Sequence, residues 1–291
     1  MKKQETRTPL THLKAVEKRL ESYGVLSPRA EAEQLVSHYG RLDRLEIFTK
    51  RKPLPRNARA AIHRVLRKRR TGVPLAYLTK EAFFWGYAFQ VKPGVLIPRP
   101  ETERLVEEAL KVIDTHFPNK DPRILDLGTG SGCIAVCLTL ERPPCRMTAL
   151  DTSSHAIKVA RNNIKRHGLS NKIRLVKSCL FDFFKKKSAL WDVIVSNPPY
   201  VPTSLIPVLS KEVQNEPSLA LDGGREGLDI LKAILAEAPR FLKPGGHLLM
   251  EIGEGQSRKL KKILSGIAEY ESLRFEKDLN GIERVLIARK K

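Results

Sequence analysis

From Arg123 onward, apolar runs of strand length alternate with segments of helical period, and this alternation restricts most what the chain can fold into. Strands are expected at 123–127, 146–151, 172–177 and 191–196, with helices at 132–141 and 153–167 between them. Such alternation buries both faces of a mostly parallel sheet, so the fold class is α/β. Beyond residue 200 the pattern predicts a helix near 228–242, a turn at Pro244-Gly245-Gly246, a strand at 247–252 and a helix near 256–269. Two strand-like runs joined at Asn280-Gly281 close the chain, and that dipeptide is a hairpin signal. A parallel sheet that ends in an antiparallel hairpin departs from the ordinary dinucleotide-binding pattern.

Two of these strands end in chemistry. ILDLGTGSG, residues 124–132, runs from a strand into Gly128, Thr129, Gly130, Ser131 and Gly132 and then a helix. Glycine suits such a turn because it is tight and a ligand lies against bare backbone. The next strand ends at Asp151, 23 residues after Gly128, where a carboxylate grips ribose hydroxyls in nucleotide-binding folds. Together they point to an adenosine-containing cofactor without separating S-adenosylmethionine (SAM) from a nicotinamide cofactor.

The second stretch is WDVIVSNPPY, residues 191–200. Asp192 to Val195 reads as a buried strand that stops at Asn197, Pro198, Pro199 and Tyr200. Two prolines with fixed φ and no N–H make this a stiff corner at the edge where open α/β sheets bind ligands. The corner suits a planar NH2 group, which is a poor nucleophile because its lone pair is delocalised. With Asn197 Oδ1 and the Pro198 carbonyl accepting its two hydrogens and Tyr200 packed on its plane, the nitrogen would face the electrophilic methyl of SAM. That task is one of positioning and calls for neither a triad nor a metal.

The first 75 residues read as a helical module. Leu10, Leu13, Val16 and Leu20 follow Thr8 and Pro9 at helical spacing up to a cap at Gly24. Ser27 and Pro28 start a second helix with Leu35 and Val36, ended by Gly40, and a short apolar turn spans Leu45 to Phe48. Pro55 opens a basic helix with Ala58, Ile62, Val65 and Leu66 on one face, stopped by Thr71 and Gly72. Residues 76–97, with Phe83, Phe84, Trp85, Tyr87 and Phe89 broken by Gly86, read as a β-hairpin linker whose aromatics pack rather than stack on bases. Residues 98–291 form the sheet domain, entered through a helix that carries Leu105, Val106, Ala109 and Leu110.

Composition adds one strong fact, a net charge of +21. Residues 41–80 hold 13 Lys or Arg against 2 Asp or Glu, so more than half of that excess sits in forty residues. Such a face steers association with an acidic partner or with the ribosome. The four cysteines, Cys133, Cys137, Cys145 and Cys179, show no C-x-x-C spacing and are read as reduced core thiols. No apolar run reaches the roughly 20 residues of a membrane span, and MKKQETRTPL lacks the apolar segment of a secretion signal. The expected location is the cytoplasm.

The chain resembles the PrmC/HemK family, the peptide chain release factor glutamine N5-methyltransferases, over nearly its whole length. The resemblance rests on LIPRPETE at 96–103, ILDLGTGSG at 124–132, ALDTS at 149–153, DVIVSNPPY at 192–200, NEPSLALDGGREGL at 215–228, PGGHLLMEIG at 244–253 and DLNGIERV at 278–285. It implies a class I SAM-dependent methyltransferase, Rossmann-like with an antiparallel terminal hairpin and an N-terminal helical domain that helps recognise the substrate. By this resemblance Gly128 to Gly132, Asp151, Leu180 and Asn197 hold SAM, and Asn197 to Tyr200 hold the glutamine, with Asn197, Pro198 and Tyr200 catalytic. The substrate would be the glutamine of the GGQ motif in class I release factors, with the ribosome nearby and no membrane or direct DNA partner. Cys179 stands where the family usually has Asp, just before Leu180, whose backbone meets the adenine; Asp182 is a candidate substitute. Glu226 replaces a frequent Asp. NPPY is shared with DNA adenine methyltransferases, so DNA or RNA adenine N6-methylation is the alternative. A nucleic-acid-binding protein with a relic cofactor fold is a third reading, opposed by the intact glycines, Asp151 and NPPY.

Overall fold

The computed structural model describes residues 8–118, 120–185 and 189–291. It divides into two units: the first runs to Lys80 and includes Ser210–Asn215, and the second comprises Glu81–Leu209 and Glu216–Lys291. The first seven residues, counted above into the helical module, lie outside the described residues. Among the described residues no helix is long and apolar enough to cross a membrane.

The first unit is helical: α1 (Pro9–Ser22), α2 (Pro28–Gly40), α3 (Arg44–Thr49), α4 (Arg56–Arg69), α5 (Leu75–Thr79) and, by its place in the chain, α9 (Lys211–Gln214). The Thr8 hydroxyl caps α1 by accepting from Thr11 N at 3.3 Å, and Asp43 and Glu46 form a reciprocal capping box on α3. Leu13, Val16, Leu20, Leu35, Val36, Ile47, Ile62 and Leu66 form its core. Two local expectations change. Gly40 does not end α2; Arg41 does, in the left-handed region at φ 51°, while a Cβ on Gly40 would meet Leu54 Cδ2 at 2.9 Å. That glycine serves close packing rather than a cap. Arg69, expected among the surface cations, is 3% exposed and pairs with Glu31 through two 2.8 Å hydrogen bonds and with Glu212. It falls on the apolar arc of α4 with Ile62, Val65 and Leu66.

The second unit opens with β1 (Glu81–Phe84) and β2 (Tyr87–Gln90), an antiparallel hairpin. Trp85 and Gly86 turn it, both at positive φ, as a two-residue loop matching strand twist requires. Phe84 and Phe89 enter the core, Trp85 and Tyr87 lean on it, and Phe83 points to solvent.

There follow α6 (Glu103–His116), β3 (Arg123–Leu127), α7 (Cys133–Glu141), β4 (Arg146–Asp151), α8 (Ser154–Arg166), β5 (Ile173–Lys177), β6 (Trp191–Ser196), α10 (Asp229–Glu237), β7 (Leu242–Glu251), α11 (Ser257–Leu264), β8 (Tyr270–Lys277) and β9 (Glu283–Lys290). The sheet order is β5-β4-β3-β6-β7-β9-β8; β5 to β7 are mutually parallel, and β9 pairs antiparallel with both β7 and β8. Ile124 and Val193 pack with α6 and α7 on one face, while Leu125 and Ile194 pack with α10 and α11 on the other. Burial on both faces is why β6 reads as a continuous apolar run. This is the class I methyltransferase arrangement expected from the strand–helix alternation.

Three boundaries moved. The run Lys243-Pro244-Gly245-Gly246 does not precede the strand but bulges within β7, because Trp191 pairs with Leu242 and Val193 already with His247. The helices expected near 228–242 and 256–269 are the shorter α10 and α11. The terminal hairpin turns through five residues, Asp278 to Ile282, with Gly281 at φ 78°.

Candidate active site

The chain leaves β3 for β4 and β5, then returns to β6 on the other side of β3. The strand order therefore reverses between β3 and β6, the point at which ligands bind in doubly wound sheets. Leu127 and Ser196 are register partners there, and the Ser196 hydroxyl donates to Leu127 O at 2.8 Å. Each strand's next residue, Gly128 or Asn197, thus stands at the same edge.

Beyond β3 the turn is tied down from below. Gly128 N and Thr129 N both donate to Leu150 O, at 2.9 and 2.8 Å, and the Thr129 hydroxyl donates to Asp126 Oδ2 at 2.6 Å. Asp126 is fully buried, and desolvation pushes its pKa up to about 7. Gly128 and Gly130 adopt φ 74° and 56°, and no protein atom would crowd a Cβ at Gly128. Their bare faces line a cavity of about 360 Å³, within the roughly 300–1,000 Å³ of small-molecule sites. Gly132 is not on the cavity; a Cβ there would meet Ala160 of α8 at 3.3 Å, so it lets α7 and α8 approach. Asp151 accepts from Gly130 N at 2.9 Å and Ser153 N at 2.8 Å. Burial raises its pKa, and each oxygen keeps a lone pair for the cavity.

Thr129, Ser131, Asp151, Leu180 and Asn197 also line this space. Leu180 sits at φ 40°, an uncommon conformation for its side chain. Cys179 lines the cavity and is exposed, so the core-thiol reading holds for buried Cys133 and Cys137 but not for it. Asp182 does not take its place: it pairs with Lys185 at 2.7 Å and is absent from the lining. Glu226 is exposed and pairs with Lys259. Among the described residues no three His, Cys, Asp or Glu side chains are grouped to hold a metal ion.

At the NPPY corner, Asn197 and Pro199 line the cavity, whereas Pro198 is buried behind it and Tyr200 is half-buried outside the lining. The Asn197 Nδ2 donates to Thr102 Oγ1 at 2.9 Å, and the Tyr200 hydroxyl donates to Glu251 Oε1 at 2.9 Å. Burial and the Glu251 charge push the Tyr200 phenol upward, so it stays protonated. The segment 221–227 clamps the corner's backbone: Val201 N donates to Leu221 O and Gly223 N to Val201 O, both at 2.9 Å. A Cβ on Gly223 would meet Pro199 O at 2.8 Å, and one on Gly227 would meet Tyr200 O at 2.2 Å. Gln256 completes the clamp, donating to Tyr200 O at 2.9 Å and Gly227 O at 3.1 Å. Across the cavity, buried Glu216 accepts from Ile97 N at 3.0 Å and from Arg99, tying the IPRPE run to the NEPS run.

Thr102, Glu216, Glu251 and Gln256 received no role from residue types alone. Their only signal was membership of the runs 96–103, 215–228 and 244–253. Glycine-lined turn, ribose-side carboxylate and amide corner meet at one switch point and fit an adenosine cofactor beside an NH2 acceptor; the protein is a class I SAM-dependent methyltransferase.

Known proteins carry this further. Residues 11–79 match the PrmC N-terminal domain and residues 102–206 the Methyltransferase small domain. A release factor glutamine methyltransferase of Moorella thermoacetica is 37% identical over 93% of this chain and 94% of its own length, and one of Nitratidesulfovibrio vulgaris is 38% identical over 96% and 94%. A methyltransferase of Pyrococcus furiosus of known structure shares the fold, with a TM-score of 0.51 at 20% identity over 71% of this chain and 90% of that one. The chain belongs to the release factor glutamine methyltransferase family.

Proposed function

We propose that this enzyme transfers the methyl group of SAM to the side-chain amide nitrogen, N5, of the glutamine in the GGQ motif of class I release factors. The observation that carries this reading is Asn197 on the cavity with its Nδ2 committed to Thr102, which leaves Oδ1 to accept from an amide NH2. SAM, when bound, supplies an electrophilic methyl on sulfur. The bare faces of Gly128 and Gly130, the lone pairs of Asp151 and the backbone at Leu180 would hold its adenosine.

Asn197 Oδ1 and the Pro198 carbonyl accept the two amide hydrogens, and Tyr200 packs on the amide plane. These acceptors favour the positive charge that grows on nitrogen in the transition state, in a site already organised by the 221–227 clamp. Holding two reactants in line lowers a barrier by roughly 7–11 kcal/mol. The helical unit recognises the release factor, and its basic face speeds encounter with that factor or with the ribosome. The enzyme works in the cytoplasm. An exocyclic adenine amine would fit the same corner, but the relatives' names specify glutamine.

Incubating the purified chain with SAM and a class I release factor, then mapping methyl groups by peptide mass spectrometry, tests the reading. One methyl on the GGQ peptide is expected, and none when that glutamine is substituted. Labelled nucleic acid in place of labelled protein would overturn it.

A further inference from the structure

Asn197 raises a question that the NPPY corner cannot answer by itself. A side-chain amide is nearly symmetric in shape, with an acceptor oxygen at one end and a two-proton donor at the other. Only the oxygen can receive a hydrogen from an incoming amide nitrogen, so something must fix which end faces the cavity. The partner of Nδ2 is the Thr102 hydroxyl, which is 2% exposed and can itself donate or accept. Thr102 therefore passes on a polarity that it does not set.

Glu251, the last residue of β7, is fully buried at 0% exposure, and Oε1 accepts from the Tyr200 hydroxyl at 2.9 Å. Its second oxygen, Oε2, is buried and has no partner at hydrogen-bonding distance and angle. Thr102 nevertheless favours the charged carboxylate, as a hydroxyl turned to donate does. A carboxylate only accepts. Its presence turns the Thr102 proton toward Glu251, leaves a Thr102 lone pair for Asn197 Nδ2–H, and so leaves Oδ1 on the cavity side. The same carboxylate holds the Tyr200 hydroxyl and with it the ring. Two arms of the corner, 95 and 51 residues from their partners, converge on one buried acid.

We propose that Glu251 is a positioning residue that sets the donor–acceptor direction of the Thr102–Asn197 relay, so that Oδ1 rather than Nδ2 meets the acceptor nitrogen. This rests on the reading of Asn197 as the holder of the substrate amide. The groups acting on Glu251 are Thr102, Tyr200 and Arg284, which favour its charge, and Glu101, which opposes it; desolvation outweighs them and raises its pKa. Protonation gives the carboxyl a donor of its own and lets the relay run the other way. At saturating SAM the turnover number should therefore fall on acidification, with an inflection above the ordinary carboxylate range.

The test compares Glu251→Gln, Thr102→Val, Thr102→Ser and the double variant Glu251→Gln/Thr102→Val. Glu251→Gln keeps the shape but carries a donor. It should lower kcat about a hundredfold, the scale for removing one preorganised transition-state contact, while KM for the release factor and the dissociation constant of S-adenosylhomocysteine change less than about twofold. Its acidic limb should vanish. Thr102→Ser should stay near wild type, Thr102→Val should lose as much as Glu251→Gln, and the double variant should be no worse than Thr102→Val. Wild-type kcat in Glu251→Gln, or full additivity in the double variant, overturns the proposal. A second readout needs no substrate: in 1H–15N spectra, a slowly exchanging Asn197 side-chain NH should lose its protection in Glu251→Gln, and unchanged protection would also overturn it. If the wild-type enzyme leaves the release factor unmethylated, the functional reading fails while the spectra still decide the role of Glu251.

Discussion

Charged side chains are used differently in the sheet unit and the helical unit. In the sheet unit Asp126, Asp151, Glu216 and Glu251 are buried or half-buried, and each holds identified donors: Thr129, the Gly130 and Ser153 amides, Ile97 and Arg99, and Tyr200. On α4 of the helical unit, Arg64, Arg67, Lys68 and Arg70 are exposed and have no carboxylate partner among the described residues. Buried charges with several hydrogen bonds fix geometry, because leaving one unpaired in a dry site is expensive. Exposed ones fix little locally and act through the field they sum to. The exception within α4 sharpens the contrast, since Arg69 lies between two of these cations and is buried against Glu31 and Glu212.

The comparison breaks first, if it breaks, at Asn197. Asn197→Ala should lower kcat by about 10²–10³, the loss found when one preorganised contact to developing charge is removed, with cofactor binding measured by calorimetry nearly unchanged. A comparable loss in cofactor affinity would move Asn197 from the acceptor side to the donor side of the site. In the helical unit Arg69→Ala should cost about 3 kcal/mol in urea unfolding, since it strands Glu31 beside the core, whereas Lys68→Ala should stay within about 0.5 kcal/mol. Equal costs for these neighbours would erase the distinction between them.

Asp126 gives a test by pH. Its folded pKa is raised from 3.8 to about 7, so the folded state holds the proton more tightly than the unfolded chain. The stability this contributes is full at low pH and is lost as pH rises through that window. Asp126→Asn should therefore gain on wild type by on the order of 1 kcal/mol per pH unit between those values, read from paired denaturation curves, with no further gain above. The smallest effect is expected at the basic face. Neutralising Arg64, Arg67, Lys68 and Arg70 while sparing Arg69 should slow association with the release factor about tenfold at low salt and flatten its salt dependence, leaving kcat at saturation unchanged. Stopped-flow binding at two ionic strengths measures this.

Much of the site was legible because its signals are local. A strand running into Gly128 and Gly130, a carboxylate at the end of the next strand, and two prolines behind an asparagine each declare their geometry within a few residues. The rest depended on separation in the chain. Thr102 reaches Asn197 across 95 residues and Glu251 reaches Tyr200 across 51, and nothing in TERL or MEIG announces those partners. Gly40 and Gly132 were misread for the same reason. Each was given the usual local task of a glycine, a cap or a ligand turn, whereas their Cβ positions are closed by Leu54 and Ala160.

The chain's own residue order determined the alternating α/β architecture, the two strand ends that carry chemistry and the basic helical segment, because periodicity, proline and glycine act over one or two turns of backbone. Only the tertiary structure decided that β3 and β6 lie side by side, that Arg69 leaves the charged face for the interior, and that the NPPY corner is held from behind by Gln256, Thr102 and Glu251. Those outcomes depend on which distant groups are desolvated together, and desolvation is a property of the packed molecule rather than of any segment.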